Sequence, residues 1–125
     1  FGLTEPDAGS DPSSMKTKAI KVDGGYKING SKTWITNSPI ADLFIIWAKD
    51  DQDILRGFIV DRDIKGIETP YIDGKFSLRA SATGQIFLQD VFIKDDIKHI
   101  NFDIYCNLLV LDGSVYGESK KVNQK

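Results

Sequence analysis

From Met15 onward, apolar and polar positions alternate with a period of two, the repeat of a strand that buries one face. Met15–Val22 (MKTKAIKV) sets β-compatible residues between lysines. Asp23-Gly24-Gly25 then predicts a tight hairpin, with Tyr26 and Ile28 on the return strand. Asn29-Gly30 predicts a second turn, since both residues tolerate positive φ. Thr33-Trp34-Ile35-Thr36 is aromatic and β-branched, hence extended, and Ser38-Pro39 ends it. Ala41–Lys49 (ADLFIIWAK) is apolar almost without a break, which predicts a strand covered on both faces. Arg56–Asp61 (RGFIVD) is a further strand, with Gly57 marking a bulge or a close approach. A short one runs through Ile67–Thr69 to its stop at Pro70, and Gly84–Val91 continues toward Ile93.

Seven or so short strands at spacings of roughly 8–12 residues predict an all-β barrel or sandwich over residues 15–93. No helical stripe precedes residue 98. Phe102–Leu111 (FDIYCNLLVL) fits a strand or a helix equally, and the last residues are polar.

Composition narrows the classes. A chain of 125 residues is one domain or part of a larger protein, and 41% hydrophobic residues suit a packed core. A net charge of −2 argues against nucleic acid or an anionic membrane as partner. One cysteine, Cys106, excludes an internal disulfide and a cysteine-cluster zinc site, and suits a reducing compartment. With His99 as the only histidine, no metal site is expected. No apolar run reaches the ~20 residues of a membrane helix, and no signal peptide is visible. The lack of an initiator Met predicts sequence upstream of Phe1.

Candidate chemistry concentrates in three stretches. The opening FGLTEPDAGSDPSS brings Thr4, Gly9, Ser10 and several amides together, either as a plain turn or as an anion-binding nest. It is neither of the common glycine-rich phosphate motifs. Trp34-Ile35-Thr36 is either core packing or a flat stacking surface beside a hydroxyl. Lys75–Gly84 (KFSLRASATG) carries Arg79, which either pairs with a carboxylate or phosphate or holds the loop to Asp73 or Asp90. His99 reads as a solvated histidine and Cys106 as a small core hydrophobe. The acidic groups around Asp50–Asp53 and Asp95-Asp96 read as solvated turns, and no Ser-His-Asp set is present.

Taken in order, FGLTEPDAGSD, NGSKTWITNSPIADLFIIWAK and GKFSLRASATGQIFLQDVFI resemble the central domain of the acyl-CoA dehydrogenases. The words SPIADLF and FSLRASATG are similar to the glutaryl-CoA dehydrogenase branch. The resemblance covers residues 1 to about 97 and implies an antiparallel β-barrel that binds FAD between itself and a C-terminal helical domain. It implies that Phe1, Leu3 and Thr4 meet the flavin, and that Gly9 and Ser10 approach the FAD pyrophosphate. Ser10 is also implied to lie close to the acyl-CoA. The resemblance further implies that Trp34 packs against the isoalloxazine, that Ile35 lines it and that Thr36 hydrogen-bonds near N5. Asp11 and Arg79 are implied as supporting or substrate-side residues. The implied partners are an acyl-CoA (glutaryl-CoA by the closer words), an electron-transfer flavoprotein and a homotetramer. The implied location is the cytoplasm of a bacterium or the mitochondrial matrix of a eukaryote.

The family's catalytic glutamate has no match in this chain, so no catalytic residue is assigned. Glu5 lies in the cofactor loop, and Glu68 and Glu118 match no motif. Residues 98–125 form a divergent tail: Leu111 stands where a substrate-binding arginine is implied, and Asp112-Gly113 and Gly117 make poor helix interior. The expectation is a central domain, incomplete and inactive alone. The alternatives are a non-catalytic remnant and a β-rich interaction module without flavin.

Overall fold

The computed structural model describes residues 1–95 and the backbone of a short strand at 100–101. Its strands are β1 (Lys18–Val22), β2 (Gly25–Thr36), β3 (Leu43–Lys49), β4 (Leu55–Asp61), β5 (Ile67–Glu68), β6 (Thr83–Lys94) and β7 (Ile100–Asn101). They form one sheet in the order β5-β6-β2-β1-β3-β4-β7. The fold is all-β, as the alternation predicts; among the described residues the one helical element is the 3₁₀ turn Pro12–Ser14, capped by Asp11. Most pairings are antiparallel, and β1 meets β3 in parallel at the single pair Lys18↔Lys49.

The sheet curls around one core. Ala19, Ile28, Phe44, Ile46, Phe58, Val60, Ile86, Val91 and Ile93 are fully or almost fully buried together, drawn from five different strands. The rings of Tyr26 on β2 and Phe58 on β4 lie 5.3 Å apart. Those strands stand three places apart in the sheet, about 14 Å if it were flat. Only a strongly coiled sheet brings them into contact.

The expected two-sided burial of ADLFIIWAK is found, over Leu43–Lys49. Phe44, Ile46 and Ala48 enter the main core. On the opposite face Trp47, fully buried, packs with Ala8 and Met15 of the opening segment, flanked by Leu3, Ile45 and Leu55. The opening residues fill the seam between β3 and β2. Gly2 donates to Ile45 O at 2.7 Å and accepts from Trp47 N at 3.0 Å, and Thr33 N donates to Thr4 O at 2.9 Å. A Cβ at Gly2 would stand 2.8 Å from Ile46 Cδ1, so a larger residue there would push the Ile46 side chain aside.

Two turn and bulge expectations are corrected. Asn29-Gly30 does not turn the chain: β2 runs through it, with a register shift against β6 between Ile28 and Gly30. Gly30 sits at φ 152, and a Cβ there would lie 2.3 Å from Thr17 Oγ1. The tolerance of positive φ serves a bulge instead of a hairpin. Gly57 makes no bulge either; the β3–β4 ladder passes through Trp47↔Gly57 without a break.

The acidic turn joining β3 and β4 is built on Asp50, whose Oδ1 accepts from Gln52 N and Ile54 N at 2.9 Å each. Its Oδ2 accepts from Arg56 Nε at 2.5 Å. Burial alone would raise the Asp50 carboxyl, but the hydrogen bonds from Arg56 and the two amides outweigh it and hold it below the usual carboxylate range. Asp50→Ala removes the acceptor for both amides and is expected to cost about 1–3 kcal/mol in urea unfolding, with the sheet intact by circular dichroism.

The readings of Phe102–Leu111, His99 and Cys106 fall outside the described residues.

Candidate functional site

The ladder between β2 and β6 shifts register a second time between Lys32 and Ile35. Within that bulge Trp34 adopts φ 58, the left-handed region, which costs a bulky L-residue on the order of 1–2 kcal/mol. The bulge leaves Lys32 and Thr33 both buried, then sends Trp34 outward, Ile35 inward and Thr36 outward. Trp34 is 59% exposed, so the reading of this tryptophan as core packing does not hold. A large aromatic in a strained position with its face in solvent is not explained by stability alone.

Ile35 is 4% exposed and belongs to the main core. Its side chain therefore cannot line a ligand as the resemblance implies, and only its backbone is available to one.

Trp34 and Thr36 form one side of a groove of about 380 Å³ whose other side is Lys75, Phe76, Ser77, Leu78, Ser81 and Thr83. That volume lies within the usual range for small-molecule sites. The groove floor is pinned. Thr36 pairs with Thr83, Asn37 N donates to Ala82 O at 2.6 Å, and Ser38 Oγ donates to Ile35 O at 3.1 Å. Arg62 ties the segment after β2 to the body, donating to Ser38 O at 2.8 Å and Ala41 O at 2.6 Å.

The opening segment stands beside Trp34 through the Thr33–Thr4 hydrogen bond. Phe1 is half exposed and meets the Trp47 ring edge-on at 6.1 Å; Leu3 and Thr4 are partly buried. Glu5 and Ala8 bond each other at 3.1 and 3.2 Å around the Pro6-Asp7 turn. Beyond it Gly9 and Ser10 are exposed, a Cβ on Gly9 would meet nothing within 4 Å, and neither amide has a hydrogen-bond partner among the described residues. Asp11 is spent on its cap, accepting from Ser13 N at 3.0 Å. Arg79 donates from Nε to Lys75 O at 2.9 Å and makes no ion pair with Asp73 or Asp90 among the described residues.

A buried ion pair underlies the site and is absent from the sequence reading. Lys32 is fully buried and donates to Glu5 Oε1 at 2.9 Å and to Leu3 O at 3.3 Å. Glu5 also accepts from Lys16 N at 2.6 Å, Thr17 N at 3.0 Å and the Thr17 hydroxyl. Burial would raise the Glu5 carboxyl, but these donors, Lys32 foremost, bring it below the ordinary value. Burial lowers the Lys32 ammonium against the opposing pull of Glu5. The pair fastens the opening segment to β2 and to the entry of β1.

A flat exposed aromatic, a neighbouring hydroxyl, a groove of suitable size and a small-residue loop with two free amides fit a flavin dinucleotide. Residues 1–91 match the acyl-CoA dehydrogenase middle domain. The chain belongs to that family.

It is 43% identical over 94 residues to the benzylmalonyl-CoA dehydrogenase of Aromatoleum aromaticum, covering 74% of this chain and 25% of that protein. It is 37% identical over 100 residues to the mitochondrial isovaleryl-CoA dehydrogenase of Arabidopsis thaliana, covering 77% and 24%. Among solved structures it is similar to the glutaryl-CoA dehydrogenase of Mycobacterium smegmatis in complex with FADH2. That match has a TM-score of 0.75 and 43% identity over 78% of this chain and 25% of that one. The chain spans about a quarter of the length of the relatives it matches.

Proposed function

We propose that residues 1–97 form the flavin-holding central domain of an enzyme that oxidises an acyl-CoA thioester to its α,β-unsaturated product, with residues 98–125 as a separate tail. The observation that carries this reading is Trp34, held outward at positive φ beside the Thr36 hydroxyl. Trp34 would hold the isoalloxazine by stacking, and Thr36 would supply a hydroxyl donor to it. Phe1, Leu3 and Thr4 bound the ring on the side of the opening segment, with Ile35 contributing backbone. The free amides of Gly9 and Ser10 would receive the pyrophosphate, with Ser10 also close to the acyl-CoA. FAD, when bound, supplies the acceptor for the hydride leaving the substrate β-carbon. Glutaryl-CoA is the substrate we assign, supported by SPIADLF, FSLRASATG and the similarity to the M. smegmatis enzyme.

The α-proton needs a base that these residues do not offer. Among the described residues no carboxylate lines the groove, and Glu5 is buried with its oxygens engaged by donors. The base is therefore assigned to residues outside this chain, as are the contacts that build a homotetramer and admit an electron-transfer flavoprotein.

Purified 125-residue chain mixed with FAD is expected to bind it, with a resolved visible band and quenched flavin emission. With glutaryl-CoA added it is expected to give no dye reduction. Failure to bind FAD overturns the site; dye reduction overturns the assignment of the base elsewhere.

A further inference from the structure

We propose that Lys75 is the positioning residue of the groove, its ammonium folding the 74–83 loop into the wall that faces a flavin lying on Trp34 and Thr36. This rests on the flavin reading above and deepens it.

The loop has almost no apolar anchorage. Phe76 and Leu78 are 95% and 79% exposed, Arg79 and Ala80 are exposed, and Leu78 is held at φ 50. Hydrophobic burial cannot hold such a segment in one conformation. One amine does. Lys75 Nζ donates to Ser81 O at 2.6 Å, to the Thr83 hydroxyl oxygen at 2.7 Å and to Leu78 O at 2.9 Å. An ammonium has three N–H groups, and all three are used within its own loop. No carboxylate pairs with Lys75 among the described residues, so the charge is not serving an ion pair.

The consequences reach the groove directly. Thr83, its oxygen fixed by Lys75, donates onward to Ser81 O at 3.2 Å and stands in register with Thr36. Ser81 N closes on Leu78 O at 3.0 Å, and Arg79 Nε returns to Lys75 O. Lys75, Leu78, Ser81 and Thr83 are half of the side chains lining the groove. Without the amine, three acceptors lose their common donor and the wall opposite Trp34 is free to open.

The test compares the full chain with Lys75→Met and Lys75→Cys by FAD titration and urea unfolding. Lys75→Met is expected to weaken FAD binding by roughly tenfold to a hundredfold, the loss of charge-assisted hydrogen bonds. The urea midpoint should stay where it is, because the loop lies outside the core. Alkylating Lys75→Cys with 2-bromoethylamine rebuilds an amine of nearly the same reach and is expected to restore FAD affinity. Iodoacetamide on the same variant, which adds no cation, is expected not to. Wild-type chain treated alike controls for Cys106. Equal FAD affinity in Lys75→Met and wild type overturns the role of Lys75 alone, as does failure of the aminoethyl group to rescue. A wild-type chain that binds no FAD overturns the flavin reading itself and this proposal with it.

Discussion

Glu5→Ala is expected to destabilise the domain by about 3–5 kcal/mol, because it strands the Lys32 ammonium in an interior where no water reaches it. Small domains are stable by only about 5–15 kcal/mol, so this is a large share of the total. The magnitude follows from what surrounds the pair. Lys32 is fully buried, with Leu3 O at 3.3 Å and Met15 Sδ at 3.7 Å as its remaining neighbours, neither of which replaces a carboxylate. The same carboxylate is the acceptor for Lys16 N and Thr17 N, so its loss also frees two amides at the entry to β1. Lys32→Met should cost less. It keeps an apolar stem of similar length and leaves Glu5 with the Lys16 and Thr17 donors. The double variant should then be more stable than the sum of the two single losses, since the second change removes a charge that the first had orphaned. Urea unfolding of the four proteins measures this; a Glu5→Ala midpoint within about 0.3 M of wild type would sink it.

The same pair sets an acid limit. Glu5 titrates lower in the folded chain than its unfolded value of about 4.3. The folded state therefore binds fewer protons than the unfolded one as pH falls through that window. The stability Glu5 contributes is complete above the unfolded value and disappears as pH drops through the folded one. Glu5→Gln removes that dependence, so its stability should change less between about pH 5 and pH 2 than that of wild type.

The pair was not legible in the sequence because its two members stand 27 residues apart and each is of a type almost always solvated. Period-two alternation exposed the strands, since each buries one face against a common core. ADLFIIWAK was legible for the same reason in reverse: with no polar alternation it needed covers on both sides, and the main core and the opening segment provide them. The alternation could not show where the ladder slips. Asn29-Gly30 carries turn chemistry, yet a bulge draws on the same left-handed tolerance, and only the pairing of β2 with β6 on both sides of it separates the two. Trp34 escaped by the same route. Its composition fits core packing, and it is the extra residue in the ladder that turns it outward. The three motifs pointed to a site, but periodicity had no means of telling that the Ile35 side chain is spent in the core.

Trp34→Gly is expected to separate the two demands placed on that bulge. Glycine adopts φ near 58 without penalty, whereas tryptophan there carries on the order of 1–2 kcal/mol of backbone strain. The side chain is mostly in solvent and contributes little burial to set against it. On stability alone the variant should therefore unfold at the same urea concentration as wild type or a slightly higher one. Flavin affinity should move the other way. Stacking of a planar heteroaromatic ring on an aromatic side chain is worth about 1–3 kcal/mol, so FAD should bind roughly tenfold to a hundredfold more weakly. Trp34→Phe should keep part of the affinity and all of the strain. Trp47, fully buried, supplies an internal fluorescence reference in each protein, so a change in flavin quenching can be told from a change in fold. A Trp34→Gly protein that loses several kcal/mol of stability would mean that the indole is held for packing. One that keeps full FAD affinity would mean that the strain at this position serves something other than the flavin. Stability retained with affinity lost is the outcome that ties a strained residue to a ligand instead of to the core.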